Sequence, residues 1–279
     1  MSLRIFIDSG HGGRDSGATA NGMRESDIVL DVSRHLAPIL EKEGHKVQLS
    51  RTADVDTPIT QRWQAANSWN ADLFVSIHTN AGGGTGVETL IPTASPNNPS
   101  RDLQTNRRFA EIVSNTLASI FRMRVRRTNG VMLETETRHD FIGVLRNTRM
   151  LAVMPEIAFI DSPLSNPDVD ILRNRRQEVA QGIANGISQF LRTEGEAYME
   201  EREVRINGVS HMIPGVLIND RNLTGTRALA ELLGADVTND GSIAVIEAPW
   251  LRNNSAENTG ISEIADNLTL LAEELRQMA

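Results

Sequence analysis

The sequence predicts an α/β fold: a mostly parallel sheet with helices on both faces, followed by a small α+β module. Three observations carry this. Short apolar runs alternate with longer segments of helical periodicity across residues 3–192, the βαβ grammar of a parallel sheet. An acidic stretch without a core pattern, residues 193–203 (TEGEAYMEERE), then interrupts the chain. Beyond it the predicted elements are short and hairpin-like. The 279 residues suffice for two domains, read as residues 1–193 and 194–279.

Residues 3–8 (LRIFID) read as a buried strand, and a glycine-rich turn from Ser9 to Gly17 follows. Over residues 26–43, Ile28, Val29, Val32, Leu36, Ile39 and Leu40 share one helical face. Ser26 is the expected N-cap and Gly44 the expected stop. Residues 45–50 (HKVQLS) alternate as a strand. Residues 58–69 are helical, opened by Pro58, and Leu73 to His78 (LFVSIH) is a buried strand. Residues 86–91 (GVETLI) form a further strand, 92–100 a loop, and 101–121 a long helix. Residues 123–147 are mixed and polar, expected as a long surface loop with a short strand or turn. A buried strand at 150–157 (MLAVMPEI) and one amphipathic helix at 170–192 complete the first domain.

In the second module, strands are expected near 204–206 and 215–219, with Asn207-Gly208 as a hairpin signal. A helix at 224–233, a strand at 242–247 after an Asn-Asp-Gly turn, and a helix at 261–278 follow.

Composition removes several function classes. There is no cysteine, so disulfides, thiolate nucleophiles and cysteine-ligated zinc are excluded, and any metal site must use His, Asp and Glu. A net charge of -8 argues against nucleic acid and anionic membrane surfaces as partners. No apolar run is long enough for a transmembrane segment. No basic-then-apolar leader precedes Leu3, so the expectation is either a protein used without classical secretion or one whose leader has been removed. Arg122, Arg124, Arg126 and Arg127 are read as a solvated basic edge.

In an open parallel sheet, loops leaving the carboxyl ends of the strands gather on one edge, where ligands bind. His11 follows the first strand, Glu25 opens the first helix, and His78 and Glu156 end two later strands. All four are expected on that edge. Two neutral imidazoles and one carboxylate suit zinc with an open position for water. Glu156, leaving the dry run Ala152, Val153, Met154 and Pro155, suits a proton acceptor. Bland readings stand beside these. His11 can be a turn residue, Glu25 can simply favour the positive end of its helix, and His78 and Glu156 can be satisfied core groups. The glycines around His11 permit a tight turn, but HGG lacks the spacing of a phosphate loop. Asn80 is either a substrate contact or a turn residue. His35 and His45 are read as structural or surface groups, and the surroundings of His139 as a solvated acidic loop. Trp63, Trp69 and Trp250 are too scattered for a sugar-binding ridge.

The segments IFIDSGHGGRDSGA, RESDIVLDVSRHLAPILEKEGHKVQLSRTAD, QRWQAANSWNADLFVSIHTNA, GVETL and PEIAFIDS occur in this order. Together they resemble the zinc N-acetylmuramoyl-L-alanine amidases of the amidase-3 type, over residues 3–192. The resemblance implies one zinc ion on His11, Glu25 and His78, a catalytic Glu156, and peptidoglycan as substrate at the bacterial cell wall, in an autolysin or endolysin role. Ser9, Pro155 and Ala158 depart from the usual motif residues, and residues 92–147 depart more. The segment from Val204 to Glu247 resembles the copper-amine-oxidase N-terminal-like domain, which implies wall targeting or oligomerisation. It implies no copper, because His211 is its one imidazole. The rival functions are a zinc carboxypeptidase or aminoacylase-type hydrolase and a non-catalytic wall-binding protein.

Overall fold

In the computed structural model the described residues are 2–95, 101–137 and 141–197, then strand segments at 201–206, 209–214, 217–218, 221–222, 236–239 and 244–247. The chain runs β1 (Arg4–Ser9), β2 (Thr19–Ala20), β3 (Met23–Arg24), α1 (Glu25–Lys42), β4 (Lys46–Leu49), α2 (Ile59–Ser68) and β5 (Leu73–Asn80). It continues with β6 (Glu88–Ile91), α3 (Leu103–Phe121), β7 (Val131–Leu133), α4 (Gly143–Asn147), β8 (Leu151–Phe159), α5 (Pro167–Asn174) and α6 (Arg176–Ala197). Two compact units divide it, Met1–Leu191 and Arg192–Ala279.

The first unit is built on a six-stranded sheet ordered β4-β1-β5-β8-β6-β7. Strands β4, β1, β5 and β8 are mutually parallel, whereas β6 pairs antiparallel with β8 and carries β7 parallel to itself. Ile5, Phe6 and Ile7 are all fully buried. Successive strand residues point to opposite faces, so both faces of β1 are covered. On one face Phe6, Phe74, Ala152, Met154, Leu90 and Met132 pack with Ala66 of α2 and Val144 and Leu145 of α4. Elsewhere α1 and α3 lie against the sheet, and Phe109 of α3 meets Phe190 of α6 with ring centroids 4.6 Å apart. Among the described residues no helix is long and apolar enough to cross a membrane.

Several sequence expectations change. Helix α1 begins at Glu25 with Arg24 as N-cap, so Ser26 lies inside the helix and caps nothing. Strand β5 runs on to Asn80 and β8 to Phe159, because Asn80 and Phe159 still pair across them. His78 and Glu156 are therefore within strands rather than at their ends. The helix expected at 170–192 is two, broken at Arg175. The first is opened by Asn166, whose side chain accepts from the backbone N–H of Asp168, with Pro167 beginning the helix. Helix α6 continues to Ala197, past the expected boundary. Residues 123–147 are not simply a surface loop. Glu134 is fully buried there and accepts from the Thr93 N–H and hydroxyl, the Ile142 N–H and Arg146 Nε. A charged residue that gathers four donors folds its segment inward.

In the second unit, β9 (Glu201–Ile206) and β10 (Val209–Pro214) pair antiparallel, with Val209 opposite Ile206, and Asn207 and Gly208 lie outside the described residues. Strands β11 (Leu217–Ile218) and β12 (Arg221–Asn222) pair with each other. Strand β13 (Asp236–Asn239), not anticipated, pairs antiparallel with β14 (Ala244–Glu247), which runs parallel to β9. The helices expected at 224–233 and 261–278 lie outside the described residues, as do His139 and Trp250.

Candidate metal centre

The face that is apolar at one end of the sheet turns polar at the other. Two residues beyond Phe6 on β1 stands Asp8, and beyond Phe74 on β5 stand Ser76 and His78. Beyond Ala152 and Met154 on β8 comes Glu156, and before Leu90 on β6 comes Glu88. Period-two alternation puts all of these on the same face. The register aligns them in a row: His78 is the partner of Glu156, and Glu156 the partner of Glu88.

His11 reaches this row from the turn after β1, and the turn is strained. Its φ is 56°, a left-handed value uncommon for a residue with a side chain. Two buried arginines hold it. Arg62 of α2 donates Nη2 to the His11 carbonyl at 2.6 Å and Nη1 to Asp8 at 2.8 Å and to the Ser9 carbonyl. Arg51 donates Nε to the Ser9 carbonyl at 3.1 Å and Nη2 to the carbonyls of Gly10 and Ser26, both at 2.8 Å. A Cβ at Gly10 would sit 2.4 Å from the His78 ring, and one at Gly17 would sit 2.6 Å from both Glu25 Oε2 and the His11 ring. These two glycines are required by close approach of the site itself. Nothing in the spacing of Arg51 and Arg62 marks them in the sequence.

His11, Glu25 and His78 converge. One donor atom from each lies within 4.8 Å of the others. Glu25 Oε1 is 3.3 Å from His11 Nε2 and 3.0 Å from His78 Nδ1, and it accepts from the Thr79 N–H at 2.9 Å. Glu25 Oε2 accepts from the Ala18 N–H at 2.9 Å. The carboxylate is thus fixed at both oxygens in a buried position. On the far side of His11, Nδ1 meets Asp15 Oδ2 at 2.9 Å, which leaves Nε2 as the nitrogen of the neutral ring that could take a metal. Burial works against a charge on His11, but hydrogen bonds and attraction from Glu25 and Asp15 outweigh it and push its pKa up to about 9. Burial also opposes ionisation of Glu25, yet the two histidines hold it below the ordinary carboxylate range. Two imidazole nitrogens and a fixed carboxylate oxygen, crowded into one cradle, are a donor set that fits a divalent cation such as zinc.

Glu156 has the opposite character. Burial raises its pKa well above the ordinary value, and the nearby charges of Glu25 and Glu88 raise it further. Its Oε2 is buried without a hydrogen-bond partner among the described residues. A carboxyl in that setting holds a proton readily. Beyond it Glu88, which the sequence does not mark, is 2% exposed and takes Asn80 Nδ2 at 2.6 Å, Arg126 Nε at 3.1 Å and Arg127 Nε at 3.2 Å. Two of the four clustered arginines are therefore tied to a buried carboxylate, and the solvated-edge expectation does not hold for them. Asn80 is half-buried, with its side-chain Oδ1 accepting from the Ala81 N–H at 2.9 Å. His45 accepts from the Leu3 N–H, and His35 lies 3.7 Å from Asp31, so both stay apart from the site. Trp69 packs on the core beside Phe6.

A family model described as N-acetylmuramoyl-L-alanine amidase matches residues 5–189, a span that contains all four site residues. The chain belongs to this amidase family. The amidase CwlM of Bacillus licheniformis is 38% identical over 193 residues, covering 67% of this chain and 68% of that one. The endolysin of Bacillus phage SPP1 is 37% identical over 196 residues, covering 68% and 67%. Among solved structures, the amidase AmiC2 of Nostoc punctiforme has a TM-score of 0.56 at 29% identity, covering 68% of this chain and 97% of that one. An N-acetylmuramoyl-L-alanine amidase from Clostridium difficile 630 has a TM-score of 0.57, also at 29% identity, covering 69% and 98%. The amidase fold thus corresponds to the first unit.

Proposed function

We propose that this amidase-family chain hydrolyses the amide between N-acetylmuramic acid and L-alanine in peptidoglycan, using one zinc ion held by His11, Glu25 and His78. The observation that carries the reading is the convergence of those three donors beside a buried carboxyl, Glu156, within the span matched by the family. Zinc, when bound, supplies Lewis acidity that polarises the scissile carbonyl and acidifies the attacking water. The remaining work falls to the chain. Asp15 keeps His11 in the tautomer that offers Nε2. The backbone N–H groups of Ala18 and Thr79 stop Glu25 from swinging away. Glu156, raised in pKa, accepts the proton of the attacking water and returns it to the leaving nitrogen. Asn80 borders the substrate path, and its amide contributes by holding Glu88 in place.

The site of action is the bacterial cell wall, as for the wall-lytic relatives. The second unit is proposed to target the wall or to pair copies of the chain, and its likeness to the copper-amine-oxidase N-terminal-like domain rests on the sequence from Val204 to Glu247. The test is digestion of purified walls, with products identified by mass spectrometry. Intact stem peptides with a free L-alanine amine, activity lost with a chelator and restored by zinc, are the expected result. Shortened stems would favour the carboxypeptidase reading, and full activity in metal-free protein would overturn the zinc reading.

A further inference from the structure

We propose that Arg126 is a carboxylate-binding residue that reads an acidic group on the peptide side of the substrate, a proposal that rests on the amidase reading above. Arg126 lies on the far side of Glu88, the residue that follows Glu156 in the row of polar residues. Its Nε is bound to Glu88, whose strand pairs directly with that of Glu156. Its guanidinium lies over the ring of Phe159, with Cζ 4.6 Å from the centroid. Nη1 is 3.1 Å from the place a Cβ would occupy on Gly84, in the loop that leaves β5. The guanidinium is thereby held at one nitrogen and against the Phe159 ring. Neither Nη group has a hydrogen-bond partner among the described residues, and the side chain keeps 27% of its surface exposed. A planar cation held in this way, with two adjacent N–H-bearing groups left over, is pre-organised for a carboxylate.

Charge balance favours the same conclusion. Glu88 brings one negative charge, and Arg126 and Arg127 bring two positive ones. A single arginine would neutralise the buried carboxylate, so the cluster keeps one positive charge over. Arg127 is the more exposed of the two, but it turns its Nη2 toward Met132 Sδ at 3.8 Å, which leaves Arg126 as the member with both Nη groups unpartnered among the described residues. The spacing is suitable. Neighbouring strands lie about 4.8 Å apart, so two steps separate Glu88 from His78 by roughly 10 Å. An extended peptide advances about 3.5 Å per residue. The carboxylate that meets Arg126 therefore belongs to about the second or third residue beyond the scissile amide. Gly84 lets its loop pack closely here, because a side chain there would run into Phe159 at 2.5 Å and crowd Arg126 Nη1 at 3.1 Å.

The experiment compares synthetic N-acetylmuramoyl-L-alanyl peptides that carry either a carboxylate or a carboxamide at the second and third residues. Zinc-loaded protein and the variants Arg126→Gln and Arg127→Gln are measured for kcat/KM, and binding of the released peptides is followed by calorimetry. The parent protein should prefer the carboxylate at one of those positions by roughly ten- to a hundredfold, the scale of a charge-assisted hydrogen-bonded pair. Arg126→Gln should erase that preference by weakening the carboxylate substrate alone, while Arg127→Gln, which removes the same charge from Glu88, should keep it. Equal loss on both substrates in Arg126→Gln would make the residue structural and overturn the proposal. So would a parent protein indifferent to carboxylate and carboxamide, whether or not any variant folds. Carboxylate-dependent peptide binding without hydrolysis of any substrate would instead overturn the amidase reading and leave the Arg126 site standing.

Discussion

Substituting Gly17 by alanine isolates the tightness of the metal cradle from ordinary backbone strain, because Gly22 offers a matched control. Gly17 has φ +62° and Gly22 φ +71°, so alanine is equally misplaced at both. The left-handed backbone costs an alanine about 1–2 kcal/mol at either site. In a unit of this size, each kcal/mol lowers the melting temperature by roughly 2–4 °C. The two positions differ in their surroundings. A Cβ at Gly22 meets nothing within 4 Å, whereas one at Gly17 lies 2.6 Å from Glu25 Oε2 and 2.6 Å from the His11 ring. Neither neighbour can yield freely. Glu25 is hydrogen-bonded at both oxygens, and His11 is held by Asp15 on its ring and by Arg62 at its carbonyl. Gly17→Ala must displace two of the three proposed metal donors, so zinc affinity should fall by about 10–100-fold, the range seen when the support of metal ligands is disturbed. Thermal unfolding of the metal-free variants gives the shared strain, and competition with a chromophoric chelator gives the zinc affinity. If both variants bound zinc as the parent does, the cradle around His11 and Glu25 would not be the metal site.

Glu156→Gln keeps the size of the side chain and removes its proton chemistry. We expect kcat to fall by about 10²–10⁴-fold with zinc affinity unchanged, and a full turnover rate in that variant would remove Glu156 from the reaction. The metal-free protein should also report the proton that zinc replaces. His11 titrates at about 9 against an ordinary 6.5, so its stabilising effect is complete below about 6.5 and disappears as pH rises through about 9. Glu25 has the opposite sign, since its pKa is lowered: its effect is present above the ordinary 4.5 and is lost in strong acid. Zinc must displace the His11 proton, so its affinity should climb with pH up to about 9, and calorimetry at pH 7 in buffers of different ionisation enthalpy should detect proton release. Zinc binding without any proton release at pH 7 would contradict the charge state assigned to His11.

Much of the first unit was legible because local and tertiary preferences agree there. The apolar run of LRIFID and the stripe from Ile28 to Leu40 each have one satisfactory burial, as strand β1 and helix α1. The convergence of His11, Glu25 and His78 was legible through strand-end logic even though His78 lies two residues inside β5. The polar letters of Thr79 and Asn80 suggested a loop, but pairing of Asn80 with Phe159 prolongs both strands. The orientation of β6 was not legible: the run GVETLI carries no sign of direction, and its antiparallel pairing with β8 is a choice made by the whole sheet.

The sequence by itself determined which chemistry is available. With no cysteine, a metal has to be held by imidazole and carboxylate, and the order of the motifs names His11, Glu25, His78 and Glu156. What only the tertiary structure decided is how those groups are held and what faces them. Arg51 and Arg62 carry no mark in the sequence, yet they grip the carbonyls of the His11 turn. Glu88 and Arg126 read as an unremarked strand acid and a surface base, yet they form the wall beside Glu156. Residue type limits what a side chain can do, whereas its partners are set by strand order and register, which bring residues 78, 156 and 88 into one row, with Asp8 and Ser76 one row back on the same face.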